Sequence, residues 1–314
     1  MVPNDKIVIT GGAGLVGQNL IVRLKQRGFR RLVAIDKHSA NTSTLRGLHP
    51  DITVVEADLA DPGPWESALR DARTVVLNQA QIGGLSLEEF RRNNVAATAR
   101  ILDVVRTQPA PPFIVHVSSS VVNSRAVDYY TETKKAQERL VLASGLPSTV
   151  LRPTLMFGWF DRKHLGWLAR FMRKAPLFPV PDQGDYLRQP LYVGDFCNVV
   201  IACLDGRFSG KVFDISGLEQ ITYLDIILRL REVVGSRTKV VKIPFRLFWW
   251  MLRAYAVFDG DPPFTTRQLE ALVIPESFPV IDWPGIFGCR PTPFGTAIEE
   301  TFRDPVYSKV VLEF

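Results

Sequence analysis

Cysteine is scarce in this 314-residue chain. Cys197, Cys203 and Cys289 form an odd set with no C-x-x-C spacing. That excludes a disulfide-built scaffold and fits buried thiols in a reducing cytoplasm. The four histidines lack ligand spacing, so neither a structural zinc site nor any other metal is expected. No apolar run approaches the roughly eighteen residues of a spanning helix. The greasiest stretch, Leu247–Leu252, is bracketed by Arg246 and Arg253. The first residues, MVPNDKIVIT, lack the charged-then-apolar pattern of a signal peptide, and a cytoplasmic location is the expectation. Repeats and low-complexity tracts are also missing.

Charge excludes little more. The net charge of +6 comes from basic residues scattered over the whole chain. Pairs such as Arg30-Arg31 and Lys134-Lys135 are dispersed, which reads as a solvated surface and not as a nucleic-acid footprint. Hydrophobic residues at 46% and charged residues at 22% are ordinary globular values.

The first half alternates short β-branched runs with helical patterns. Lys6–Thr10, Leu32–Asp36, Ile52–Ala57, Thr74–Leu77, Phe113–Ser118 and Thr149–Arg152 read as six strands. Gly14–Arg27, Ser86–Arg106 and Tyr130–Ser144 read as helices between them. The strands are continuous apolar runs, as in a parallel sheet buried on both faces. The pattern predicts an α/β fold with a doubly wound parallel sheet over residues 1–153. Residues 154–314 are richer in proline and aromatics, with Lys211–Ile215 as a strand and helical patterns at Tyr192–Leu204, Tyr223–Val234 and Phe245–Phe258. This part reads as a smaller α/β substrate lobe over the sheet's carboxyl edge, with some segments returning to the core.

The strongest motif is Gly11-Gly12-Ala13-Gly14-Leu15-Val16-Gly17, directly after a strand and opening a helix. Glycines there allow a tight turn and let backbone N–H groups approach a pyrophosphate at a helix N-terminus. Asp36 ends the second strand, where an acid hydrogen-bonds the ribose 2′-OH of NAD. It favours NAD over NADP, although Lys37 and His38 beside it could accommodate a phosphate. Tyr130 and Lys134 stand at i and i+4, on one helix face. A lysine ammonium and the positive nicotinamide would both favour the phenolate of a tyrosine acting as a base. Ser118-Ser119-Ser120 ends the fifth strand. Ser120 is the expected catalytic hydroxyl with Ser119 as its rival, and both are candidates to touch the substrate.

Together the glycine motif, the serine run and Y-x-x-x-K resemble the extended short-chain dehydrogenase/reductase superfamily, especially its NAD-dependent nucleotide-sugar epimerases and dehydratases. Similarity runs along most of the chain. Asp58 and Leu59 look like the family's segment near the adenine. Leu77-Asn78-Gln79-Ala80 looks like its fourth-strand segment beside the cofactor, and Asn94 to Thr98 is similar to its "Nv..T" helix. Leu151-Arg152-Pro153-Thr154 looks like the segment beside the nicotinamide. Arg188 to Asp195 resembles a segment whose arginine contacts the substrate pyrophosphate. Phe264-Thr265-Thr266-Arg267 through Gly288-Cys289-Arg290-Pro291 to Ile298 resembles the closing pattern. The resemblance implies a Rossmann fold and a catalytic set of Ser120, Tyr130 and Lys134. It implies cofactor contacts from Gly11, Gly14, Leu15, Val16, Gly17, Asp36, Lys37, Asp58, Leu59, Gln79, Ala80, Ser118, Tyr130, Lys134 and Pro153. Only ten residues lead from Ser120 to Tyr130, and the usual "vYG" reads Val122-Asn123-Ser124. The shortened loop normally helps to line the substrate pocket.

The resulting expectation is an NAD-dependent epimerase of a nucleotide-activated sugar, UDP-linked, acting through a transient keto intermediate, with no nucleic-acid partner and a homodimer as its assembly. The alternative is an NAD(P)-dependent 4-ketoreductase or dehydrogenase of a nucleotide sugar or a small apolar alcohol or ketone. A non-catalytic cofactor-binding accessory subunit is the third reading, disfavoured by the intact Ser/Tyr/Lys set. For Phe245–Phe258, Trp249, Trp250 and Tyr255 allow a helix dipping into a membrane interface. The reading preferred here is a core or dimer helix, and membrane association is not expected.

Overall fold

The computed structural model describes residues 1–258, 265–274 and 277–313, without the side chains of 255–258, 267, 268 and 271. Tyr255, Phe264 and Arg267, singled out above, therefore lie outside the described side chains.

Seven parallel strands form the central sheet: β1 (Ile7–Thr10), β2 (Leu32–Asp36), β3 (Thr53–Glu56), β4 (Thr74–Leu77), β5 (Phe113–Val117), β6 (Ser148–Pro153) and β7 (Val212–Ile215). Their spatial order is β7-β6-β5-β4-β1-β2-β3, a Rossmann-like doubly wound arrangement. Alternate residues of β1 serve opposite faces. Ile7 and Ile9 join the core cluster under the first helix, and Val8 joins the cluster on the other side. All three are fully buried, which is why the strand reads as an unbroken apolar run.

The strand order reverses between β1 and β4, and the crevice at their carboxyl ends is the switch point of the fold. Thr10 ties the two strands together there. Its hydroxyl donates to the Val76 carbonyl at 3.1 Å and accepts the Asn78 N–H at 3.1 Å.

The chain beyond Pro153 is not a separate layer. It supplies edge strand β7, in register with β6, and the helix Val193–Cys203, which packs on the first helix Leu15–Gln26. The remaining strands are short pairs: Met156–Phe157 with Leu191–Tyr192, Leu187–Arg188 with Ile221–Thr222, and Leu177–Pro181 with Lys239–Ile243. The structure adds helices Ser39–Leu48, Leu165–Lys174, Trp283–Phe287 and Phe294–Arg303. No helix among the described residues is long and apolar enough to cross a membrane.

The segment Ser86–Arg106 is one helical run with a π-turn at Arg91–Ala96. The widened turn carries Asn94, which is fully buried. Its amide accepts from the Gln81 N–H at 2.6 Å and donates to the Gln81 carbonyl at 3.1 Å and to Thr133 at 3.0 Å. The loop after β4 and the helix Tyr129–Leu142 are thereby fixed against each other.

Candidate active site

Each motif glycine meets a different constraint. Gly11 has φ +62°, and a Cβ there would lie 2.8 Å from the Gln79 Cα. A Cβ at Gly17 would lie 2.6 Å from both the Gly11 carbonyl oxygen and the Gly12 Cα. These two positions are closed by the protein's own backbone. At Gly14 a Cβ would meet only the Gly11 carbonyl oxygen, at 3.4 Å, an ordinary contact. Gly14 is the N-cap of the helix Leu15–Gln26, in extended geometry and with no side-chain cap. The first N–H groups of that helix and its positive end are therefore left for an external anion. Leu15 and Val16 form its first turn, with Val16 buried.

Asp36 stands beside this turn at the end of β2. Its carboxylate accepts the Ala13 N–H at 3.0 Å and the His38 N–H at 3.1 Å. Burial pushes its pKa above the ordinary carboxylate value, against those backbone hydrogen bonds. Lys37 turns away from it, to Asn93 at 2.7 Å and Asp58 at 3.5 Å. Asp58 is further engaged by Arg92 at 3.3 Å and by the Ala60 N–H at 3.0 Å, and Leu59 beside it is buried. The amide of Gln79 accepts from Thr10 and donates to Thr98 at 2.9 Å, and Ala80 next to it is exposed.

On the other side of the switch point, the helix Tyr129–Leu142 opens with Asp128 capping the Thr131 N–H at 2.9 Å. It presents Tyr130 and Lys134 one turn apart. The Ser119 hydroxyl lies beside the Tyr130 phenol. Burial raises the pKa of the phenol, Ser119 opposes that, and the Asp128 charge adds to it. Ser119 caps the 3-10 turn Ser120–Asn123, and Ser120 is the first residue of that turn. Lys134 is fully buried. Its ammonium donates to the Val117 carbonyl at 3.0 Å and to Gln137 Oε1 at 2.6 Å. Burial pulls its pKa down to about 7, partly opposed by Glu138.

Residues 7–216 match the NAD dependent epimerase/dehydratase family. The chain belongs to that family. It is similar, at 25% identity over 301 residues, to a 3 beta-hydroxysteroid dehydrogenase/Delta 5-->4-isomerase of Mycobacterium tuberculosis, covering 86% of this chain and 80% of the relative. It is 25% identical over 311 residues to the dTDP-L-rhamnose 4-epimerase of Burkholderia thailandensis, covering 78% and 86%. Its fold is that of the UDP-glucuronic acid 4-epimerase from Bacillus cereus solved with NAD, with a TM-score of 0.70 at 20% identity and coverage of 95% and 97%.

NAD is the cofactor of this family, and the residues present fit it. The open position at Gly14 leaves room at the helix N-terminus, and the Asp36 carboxylate stands at the turn with Lys37 held away on Asn93.

Several of the family's expected contacts are engaged elsewhere in this member. The Ser118 hydroxyl is buried and donates to Glu138. Pro153 is buried at the end of β6. Arg188 donates to the Leu272 carbonyl and, at 2.6 Å, to the Ile274 carbonyl, and lies over the Tyr186 ring at 5.3 Å. No carboxylate among the described residues forms an ion pair with it.

The structure also brings in residues the sequence reading passed over. Gln137 takes the Lys134 ammonium and donates to Thr98 at 2.9 Å and to the Gln79 carbonyl at 3.3 Å, which links the lysine to the loop after β4. Glu138 holds Ser118 and pairs with Arg152. His116 lies fully buried near this lysine, and burial holds its pKa well below the ordinary value, so it stays neutral. The signal for Gln137 and Glu138 was available: they stand three and four residues after Lys134, one turn further along the same helix.

Proposed function

We propose that this chain carries out NAD-dependent oxidation and reduction at a secondary alcohol or its ketone, in the first reading as epimerisation of a nucleotide-activated sugar. The observation that carries the reading is the placement of Ser119 beside the Tyr130 phenol at the end of β5, with Lys134 one helical turn behind Tyr130. When bound, NAD supplies the acceptor and donor of hydride. The chain's own part is to place the substrate oxygen and to move its proton. Ser119 and Tyr130 both reach that oxygen, and Tyr130 exchanges the proton with it. Lys134 holds the end of β5 through Val117 and orients the helix that carries Tyr130. Asp36 receives the adenosine ribose, and Gly14 admits the pyrophosphate.

Two observations favour a second reading, net reduction or dehydrogenation of a more apolar alcohol or ketone. Arg188, the residue suited to clamp a diphosphate, already donates to two backbone carbonyls. The Tyr130 phenol is half-buried, and desolvation shifts it toward the protonated form that can give a proton to a carbonyl oxygen. The steroid dehydrogenase and the sugar epimerase named above are similar to this chain to the same degree.

The deciding experiment starts from purified protein loaded with NAD. UDP, GDP and dTDP are tested for a rise in melting temperature, then the matching sugars for product by mass and NMR. The first reading expects a thermal shift with a nucleoside diphosphate and a product of unchanged mass and altered stereochemistry. No shift at millimolar nucleotide, together with a two-hydrogen mass change on an apolar ketone, would replace it with the second.

A further inference from the structure

The sequence reading preferred a core or dimer helix for Phe245–Phe258, and among its described side chains only one side is packed against the chain. Phe248 is buried and the Trp249 indole N–H donates to Glu270 at 2.9 Å, but the opposite side is open. Trp250 is 64% exposed, Leu247 55% and Met251 51%. These three stand at i, i+3 and i+4 and so share one face of the helix. The strand pair that precedes the helix also exposes apolar side chains. Leu177 and Val241 are 53% and 39% exposed, on strands paired in register with Leu177 opposite Lys239 and Pro179 opposite Val241. Alternation along a strand puts Leu177, Lys239 and Val241 on the same side of that pair.

Charge decides what covers this surface. Residues 237–254 contain five basic side chains, Arg237, Lys239, Lys242, Arg246 and Arg253, and no acidic one. A second copy related by a two-fold axis would set this basic surface against itself. A span is excluded by length: the helix has 14 residues, and about 20 are needed. An apolar stripe with a tryptophan, flanked by arginines, is the composition of a helix lying in the plane of an anionic bilayer surface.

We propose that the helix Phe245–Phe258, with Leu247, Trp250 and Met251 facing outward, seats this protein on the surface of an anionic phospholipid membrane. The apolar face enters the headgroup boundary, and Arg246, Arg253 and Lys239 meet lipid phosphates. The inference does not rest on the proposed reaction.

The test is flotation of the full chain with vesicles of phosphatidylcholine alone and with vesicles of equal parts phosphatidylcholine and phosphatidylglycerol. The protein should float with the anionic vesicles, and less so as salt is raised. Trp250→Asp should lower the partition coefficient by roughly tenfold or more. Removing a basic charge, in Arg246→Gln or Arg253→Gln, should lower it by roughly fivefold each. Met251→Asp provides a second variant should Trp250→Asp fail to fold. Unchanged NAD affinity in each variant shows that the cofactor domain is intact. Absence of flotation with anionic vesicles, or flotation unaffected by Trp250→Asp and Met251→Asp, would overturn the proposal. So would light scattering that shows these variants turning a dimer into a monomer, which would assign the face to a second copy.

Discussion

The carboxylate of Asp36 accepts the backbone N–H of Ala13 at 3.0 Å. One hydrogen bond thus fixes the end of β2 against the glycine turn, and the acid assigned to the ribose also shapes the loop assigned to the pyrophosphate.

Asp36→Ala should therefore act twice. Loss of the acceptor leaves the Ala13 N–H without its partner and costs about 1–3 kcal/mol of stability. NAD affinity should fall, and discrimination against NADP should relax, because the carboxylate that repels a 2′-phosphate is removed; Lys37, held by Asn93 and Asp58, adds no contact to that phosphate. Calorimetric titration with both cofactors checks this. A variant that binds NAD and NADP as the parent does would remove Asp36 from the ribose site.

The glycines should separate folding from binding. Gly14→Val should fold, because its Cβ meets only an ordinary contact, yet lose NAD binding. Gly17→Val should fail to fold or melt far lower, because its Cβ would strike the backbone of Gly11 and Gly12. Melting curves with and without NAD distinguish the two.

Tyr130→Phe should keep fold and cofactor but lower turnover by roughly 10²–10⁴. Ser119 is the serine that acts on the Tyr130 phenol, so Ser119→Ala should cost more activity than Ser120→Ala. Steady-state rates on a substrate found by the nucleotide and ketone screen are the measurement. The reverse order would return the role to Ser120.

Lys134 makes stability depend on pH in a defined direction. Its pKa is about 7 in the folded protein and near 10.5 when exposed, so the unfolded chain binds more protons between those values. Stability contributed by this group is lowest below about pH 7 and rises as pH increases toward 10.5. Denaturation midpoints across pH 7 to 10 should rise in the parent relative to Lys134→Met. Equal profiles in the two proteins would mean that the lysine keeps its charge when folded.

Arg188→Ala should lower stability by about 1–3 kcal/mol, because the Leu272 and Ile274 carbonyls lose their donor. If melting is unchanged and a thermal response to UDP disappears instead, the guanidinium belongs to a diphosphate site.

The order of strands and helices through residue 153 was legible because each buried parallel strand must be apolar on both faces, as Ile7, Val8 and Ile9 are in β1. The glycine turn was equally legible, since Gly11 and Gly17 are the residues that their closed backbone positions demand. These constraints are local or periodic, and they survive in one dimension. Tertiary structure alone decided which serine meets Tyr130, because Ser119 and Ser120 are chemically identical and differ only in how β5 ends in a 3-10 turn. It alone showed that Lys134 is desolvated under Val117 and Gln137, and that Arg188 reaches the carbonyls of residues more than eighty positions away. Spacing could not reveal the open face of Phe245–Phe258 either. An apolar helix reads the same whether the rest of the chain covers it or leaves it to solvent, and burial is a property of the packed chain.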